Sequence, residues 1–292
     1  MEKSYERISP TAKMVAYLRG FTDIPYAKEI AVESGAEKTF KELAGESAES
    51  MVRFVPFWEA RYKVTNRILV EYGMTQILEI AAGLSPRGLA MTENSDVVYV
   101  VSDLPQILEE EKEIAETILA KSNSRRPNLH FQAANALNME SLSRAIVAFK
   151  NDRQVAIITE GLLSYLNRRE QEVLAGNIHE VLRKYDGLWI ATEVHTRQYW
   201  QKISKIDEKL VRKRLSAISS STGSDIESNV FADENDIKQF FGEAGFRIEE
   251  YSHSKILEDL SSLKLLNLSE EEKLKIKRGL RMLKTLALTR NT

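Results

Sequence analysis

Apolar and polar positions along the chain change their period near residue 76. Before it, apolar side chains recur every three or four residues, the spacing of one helix face. In ISPTAKMVAYLRGFTDIPYAKEIA these are Ala12, Val15, Ala16 and Leu18, with Ser9-Pro10 as a start signal and Pro25 as a break. Glu37–Leu43 and Val52–Tyr72 repeat the spacing, the second with Phe54, Phe57, Trp58, Tyr62, Ile68 and Leu69 as anchors. The pattern predicts a helical cap over residues 1–70 and a second domain over 71–292. In that second part, short β-branched runs alternate with amphipathic stretches. The expected strands are Ile77–Ile80, Val97–Val101, Leu129–Ala133, Val155–Ile158, Leu188–Val194, Phe246–Tyr251 and Thr285–Thr289.

The intervening stretches read as helices. One has Ile107, Leu108, Ile114, Ile118 and Leu119 on one side and a Glu/Lys face on the other. Another spans Met139–Phe149, and a third opens with an Asn167/Glu170 capping box before Val173, Leu174, Ile178, Val181 and Leu182. Asp233–Ala244 and Lys264–Leu283 complete the set. Alternating strands and helices build a parallel sheet covered on both faces. The predicted fold is therefore α/β, a seven-stranded, mostly parallel sheet that ends in a strand pair. Residues 196–230 interrupt the alternation with Tyr199, Trp200, a charged helix and the Ser-rich SAISSSTGS at 216–224. This insertion is either a lid over a site or a plain surface loop.

Composition narrows the function classes. With 41 basic and 43 acidic residues the formal charge is −2, which leaves no electrostatic footprint for nucleic acid. The chain has no Cys, so thiolate metal sites and Cys-ligated iron–sulfur clusters are out, and four scattered His show no metal-ligand spacing. MEKSYERISP lacks the apolar stretch of a secretory signal and no run approaches the length of a membrane span. A cytoplasmic, membrane-free protein is expected.

Candidate chemistry lies at strand ends, where open α/β sheets bind ligands. The first strand runs into Ala81, Ala82, Gly83, Ser85 and Pro86, a tight small-residue turn leading into a helix. Read as a dinucleotide G-x-G-x-x-G, the turn would put Ala81, Gly83 and Pro86 at the glycine positions, and proline fits the third poorly. Read as E-x-G-x-G, it offers Glu79-x-Ala81-x-Gly83-x-Ser85, with an acid suited to a cationic ligand such as S-adenosylmethionine. Asp103, followed by Leu104, ends the second strand twenty residues after Gly83, where a carboxylate can accept ribose hydroxyls or cap the next helix. Asn135, Ala136 and Leu137 follow the third strand and could border an adenine or form an ordinary turn. Glu160 ends the fourth strand, where a carboxylate beside apolar residues needs a cationic partner or solvent. His195 ends the fifth; His130, His179 and His253 lie elsewhere.

Taken in order, SPTAKMVAYLRGFTDIPYA, FWEARYKVTNRIL, LEIAAGLSPRG, VSDLP, AANAL and ITEGLLSYL resemble the leucine carboxyl methyltransferase-like branch of class I S-adenosylmethionine methyltransferases, which includes polyketide O-methyltransferases. The resemblance spans roughly residues 9–195. It implies a Rossmann-like methyltransferase sheet with an antiparallel last strand, S-adenosylmethionine as cofactor and S-adenosylhomocysteine as product. By resemblance, Lys13 and Arg61 reach the cofactor carboxylate, Gly83 lies under the cofactor, Asp103 binds the ribose, Asn135 sits on the adenine side, and Glu160 contacts the methionine moiety. The turn departs from the family at Ala81 and Ser85, and Leu84-Ser85-Pro86-Arg87 replaces the D-T-R pattern that often follows it.

The acceptor implied is a carboxylate or hydroxyl oxygen, on a small molecule or a protein C-terminus. A carboxylate is already ionised and needs positioning only, for which Arg53, Arg87, Tyr165 and Tyr199 are candidates. A hydroxyl usually wants a base, with His195 the first choice and Tyr165 beside it as a second catalytic candidate. Two other classes remain open on sequence: a nicotinamide oxidoreductase, and a non-catalytic protein that binds the cofactor and acts through a partner.

Overall fold

A computed structural model describes residues 9–45, 51–192, 194–206 and 228–291. Among the described residues, the helices α1 (Ser9–Arg19), α2 (Ala27–Glu33), α3 (Ala36–Ala44) and α4 (Val55–Glu71) precede the sheet. α1 packs on α2, α3 and α4. Residues Ala60, Val64, Ile68 and Leu69 of α4 also enter the core beneath the sheet, so this helix joins cap to sheet.

The alternation from residue 76 forms as expected. It runs β1 (Gln76–Ile80), α5 (Arg87–Met91), β2 (Val98–Ser102), α6 (Pro105–Lys121), β3 (Leu129–Phe131), α7 (Met139–Ala145), β4 (Val155–Thr159), α8 (Arg168–Tyr185) and β5 (Gly187–Ala191). The Asn167/Glu170 capping box that opens α8 is present. Then follow α9 (Arg197–Ile206), α10 (Glu234–Glu243), β6 (Phe246–Ser252), α11 (Ser262–Leu265), α12 (Glu270–Arg281) and β7 (Lys284–Arg290). The Ser-rich stretch at 216–224 lies outside the described residues.

The strand order is β3-β2-β1-β4-β5-β7-β6. The first five strands pair in parallel, and β7 inserts antiparallel between β5 and β6, as predicted for the last strand. Leu78, Ile80 and Val100 face α7, α8 and α10. Ile77, Tyr99 and Val101 face α4 and α12. Side chains alternate along a strand, so Glu79 shares the α4 face with Ile77 rather than pointing from the strand end.

Two boundaries move. β5 stops at Ala191, not Val194, so His195 lies beyond the strand, beside an isolated bridge between Thr196 and Phe231. β3 ends at Phe131, leaving Asn135 in the following loop. Glu111, expected on the charged face of α6, is buried with Ile107, Leu108 and Ile114. Its spacing of three or four residues from each of them explains this.

Candidate active site

The crevice at the strand ends is built by the turn after β1. Ala81 (φ 53°) and Gly83 (φ 59°) both adopt the left-handed conformation. That conformation is readily available to glycine and costs alanine about 1–2 kcal/mol. Two hydrogen bonds tie the turn to the end of β2 and the residue after it, and a third braces that residue's carboxylate. The Ala82 amide donates to the Ser102 carbonyl (3.1 Å). The Gly83 amide donates to Asp103 Oδ2 (2.8 Å), and Oδ1 accepts from the Leu104 amide (2.7 Å). Burial nevertheless pushes the Asp103 carboxyl up to about 6, with the two amides pulling the other way.

Over this turn lies α1. A Cβ on Gly83 would stand 3.2 Å from the Ala12 Cβ. Thr11, Ala12, Met14 and Val15 form one wall of the cleft, facing Ala81–Leu84, Asp103 and the Glu160–Leu162 segment after β4. The cleft encloses about 770 Å³ of atom-free space, its open mouth included. Tyr165 lines it and its hydroxyl lies 3.4 Å from Thr11 Oγ1.

At the other end of the cleft sits a buried ion cluster. Glu160 accepts from Arg19, from Arg61 Nε (3.0 Å) and from Arg87 Nη2 (2.7 Å). Arg87 also pairs with Glu79, whose Oε2 accepts from the Tyr99 hydroxyl (2.6 Å). Among the described residues, three guanidiniums thus converge on two carboxylates. Burial and the Arg87 charge pull the Arg19 guanidinium down to about 10, and its Nε has no hydrogen-bond partner. Burial opposes the charge on Arg87 too, but Glu79, Tyr99 and Tyr62 together outweigh it and hold its pKa above the ordinary value.

The sequence candidates therefore separate into groups. Arg61, Ala81, Gly83, Asp103, Glu160 and Tyr165 line one cleft. Glu79 does not reach it, because it points at Arg87 and Tyr99 under the sheet. Lys13 leans outward and pairs with Glu110 (2.7 Å). Leu104 serves through its backbone amide. Asn135 is exposed, and its Oδ1 closes a turn on the Leu137 amide (2.9 Å). The loop holding Ala136 and Leu137 is tied to the cleft through the Ala134 amide, which donates to the Asp103 carbonyl (3.1 Å). His195 stacks on Tyr199 with ring centroids 4.6 Å apart, in a second recess that shares Trp58 and Arg61 with the cleft.

Sequence reading missed Arg19 and Trp58 as cleft residues. For Arg19 the signal was a basic residue beside the buried positions Met14 and Leu18 of a short helix. Trp58 carries Arg61 against its ring at 4.4 Å, and that i, i+3 spacing was legible.

S-adenosylmethionine fits this donor set on chemistry. A ribose needs an acceptor for its hydroxyls and a methionine carboxylate needs cationic donors; Asp103 after β2 and the Arg19–Arg61 guanidiniums at Glu160 after β4 stand on either side of the turn that follows β1. Among the described residues no helix is long and apolar enough to cross a membrane.

The leucine carboxyl methyltransferase family model matches residues 13–179, more than half of the chain. No curated protein matches the sequence. Among solved structures, a DUF574 family protein from Streptomyces avermitilis is similar over 97% of both chains, with 15% identity and a TM-score of 0.58. A Thermobifida fusca protein described as a candidate methyltransferase covers 96% of this chain and 94% of its own, with 17% identity and a TM-score of 0.53. At these identities the likeness speaks for the fold, and the strand order with its inserted antiparallel β7 is the part that a dinucleotide dehydrogenase sheet lacks. By the family match, this chain is a member of the leucine carboxyl methyltransferase family, whose methyl donor is S-adenosylmethionine.

Proposed function

We propose that the protein transfers the methyl group of S-adenosylmethionine to a carboxylate or hydroxyl oxygen of a small-molecule acceptor. One observation carries the reading: Asp103 and the Arg19–Arg61–Glu160 cluster line a single cleft on opposite sides of the Ala81–Gly83 turn. Asp103 accepts the ribose hydroxyls, held in place by two backbone amides. Arg19 and Arg61 donate to the methionine carboxylate, and Glu160 orients both guanidiniums. Gly83 keeps the floor of the cleft low beneath Ala12. The loop at Asn135, Ala136 and Leu137 borders the adenine.

The cofactor supplies a methyl on a sulfonium; the acceptor oxygen takes it, the electron pair of the broken carbon–sulfur bond stays on sulfur, and a hydroxyl's proton passes to a base while a carboxylate has none to give up. The protein's share is to hold that oxygen in line and keep water away. Met14, Val15 and Trp58 furnish the apolar walls. His195 is the base for a hydroxyl acceptor, and Tyr165 positions the acceptor at the cleft. An enclosed crevice with a small recess behind it favours a small acceptor over a protein terminus.

Calorimetry with S-adenosylmethionine and with NAD separately tests the cofactor. One-to-one binding of the first and none of the second is expected. Transfer of labelled methyl to carboxylate and phenolic acceptors then tests the chemistry. Tight cofactor binding with no turnover on either class would overturn the enzymatic reading and favour a non-catalytic role.

A further inference from the structure

Helix α4 presents two aromatic rings one turn apart, Trp58 and Tyr62. Each carries guanidiniums that reach Glu160. Arg61 lies 4.4 Å from the centre of the Trp58 ring. Over the Tyr62 ring lie Arg87 at 4.4 Å and Arg19 at 5.7 Å. Arg19 closes α1 and Arg87 opens α5, so Tyr62 receives its two cations from separate helices.

Tyr62 is 1% exposed and is not among the residues that line the cleft. It packs with Ile24 and Ala27 of the cap, and burial pushes its phenol up, so the side chain is neutral. Packing alone would be served by any large apolar side chain. The ring matters where the guanidiniums lie. Arg19 and Arg87 meet at one carboxylate and repel each other; after burial, the Arg87 charge is what pulls the Arg19 guanidinium down. The electron-rich face of an aromatic ring attracts cations without neutralising them, and it leaves the in-plane N–H groups of a guanidinium to other partners. A carboxylate in the same place would hold Arg19 as firmly but would take up the charge and donors that an anionic ligand needs.

We propose that Tyr62 is a positioning residue for the carboxylate end of the cofactor: its ring holds Arg19 at the cleft beside Glu160 with the positive charge intact. The inference rests on the proposed binding of S-adenosylmethionine. Arg19 touches the carboxylate, and Tyr62 acts through Arg19.

Calorimetry on the full chain tests this by comparing S-adenosylhomocysteine with methylthioadenosine, which keeps the adenosine and the thioether but lacks the amino-acid carboxylate. Tyr62→Leu is expected to weaken S-adenosylhomocysteine about 3- to 30-fold, the range for a lost buried cation–π contact, and to move methylthioadenosine less than about twofold. Tyr62→Phe keeps the ring face and should stay within about twofold of the parent on both ligands. In an Arg19→Met background, Tyr62→Leu should cost S-adenosylhomocysteine less than about twofold further, because the residue it acts through is gone. That arm decides alone if methylthioadenosine binds too weakly to measure. If Tyr62→Leu does not fold, a trifluorinated phenylalanine in place of Tyr62 keeps the shape while withdrawing charge from the ring face. It should weaken S-adenosylhomocysteine about threefold or more relative to Tyr62→Phe. A loss of S-adenosylhomocysteine affinity below about threefold, an equal loss on both ligands, a Tyr62→Phe variant as damaged as Tyr62→Leu, or a full loss that persists without Arg19 overturns the inference while the methyltransferase reading stands. Failure of the parent protein to bind S-adenosylhomocysteine would overturn that reading and this inference with it.

Discussion

Replacing Arg87 with methionine probes the ion cluster beneath the cleft. Arg87 is 0% exposed. Its guanidinium pairs with Glu79, lies 2.7 Å from Glu160, donates to Asn66 Oδ1 at 2.8 Å and covers the Tyr62 ring at 4.4 Å. Methionine fills much of that volume, so the perturbation is chiefly loss of charge and donors rather than a cavity. Glu160 would keep Arg19 and Arg61. Glu79 would keep only the Tyr99 hydroxyl, in a fully buried place. Most of the penalty therefore falls on Glu79. Removing one partner of a buried ion pair costs about 3–5 kcal/mol. In a chain of this size that corresponds to a fall in Tm of roughly 6–20 °C. Urea unfolding followed by circular dichroism should show a lower midpoint with an unchanged slope. Adding Glu79→Gln removes the stranded charge, so E79Q/R87M should regain more than half of the loss. A loss below about 1 kcal/mol for R87M, well under that range, or no gain from the second substitution, would refute the assignment of the penalty to Glu79.

Asp103, pushed up to about 6 by burial, should bind ribose hydroxyls best when ionised, so S-adenosylhomocysteine affinity should fall as pH drops through about 6. The stability sign is opposite: a carboxyl raised above its ordinary 3.8 contributes stability below that value which is lost as pH rises through about 6. Calorimetry and thermal melts from pH 5 to pH 8, a working range of about three units around that value, separate the two. Gly83→Ala meets a left-handed backbone and the Ala12 Cβ at 3.2 Å. It should cost about 1–2 kcal/mol in urea unfolding and weaken S-adenosylhomocysteine, and full cofactor affinity would count against the turn's role. His195→Ala should cut hydroxyl methylation about 100-fold while leaving carboxyl methylation largely intact; equal small losses on both acceptors would remove His195 from the mechanism.

Side-chain pattern alone was enough to lay out the sheet and the edge at which its small-residue turn and polar strand ends gather. Period-two and period-3.6 runs encode which faces are buried, and burial is what holds these elements in place. The small-residue turn, Asp103 and Glu160 were legible because strand ends are fixed by the same pattern. Which charges meet depends instead on how elements distant in the chain pack together. Glu79 looked like a ligand acid, yet strand alternation turns it beneath the sheet toward Arg87. Lys13 matched a cofactor-binding position, yet its side chain pairs with Glu110 on α6. Arg19, whose helix hinted only that it lies beside buried positions, arrives at Glu160 across 141 residues of chain. Apolar periodicity is a local property of the helix or strand that carries it. A buried charge takes its partner from whatever element packs against it, and that packing is a property of the whole fold.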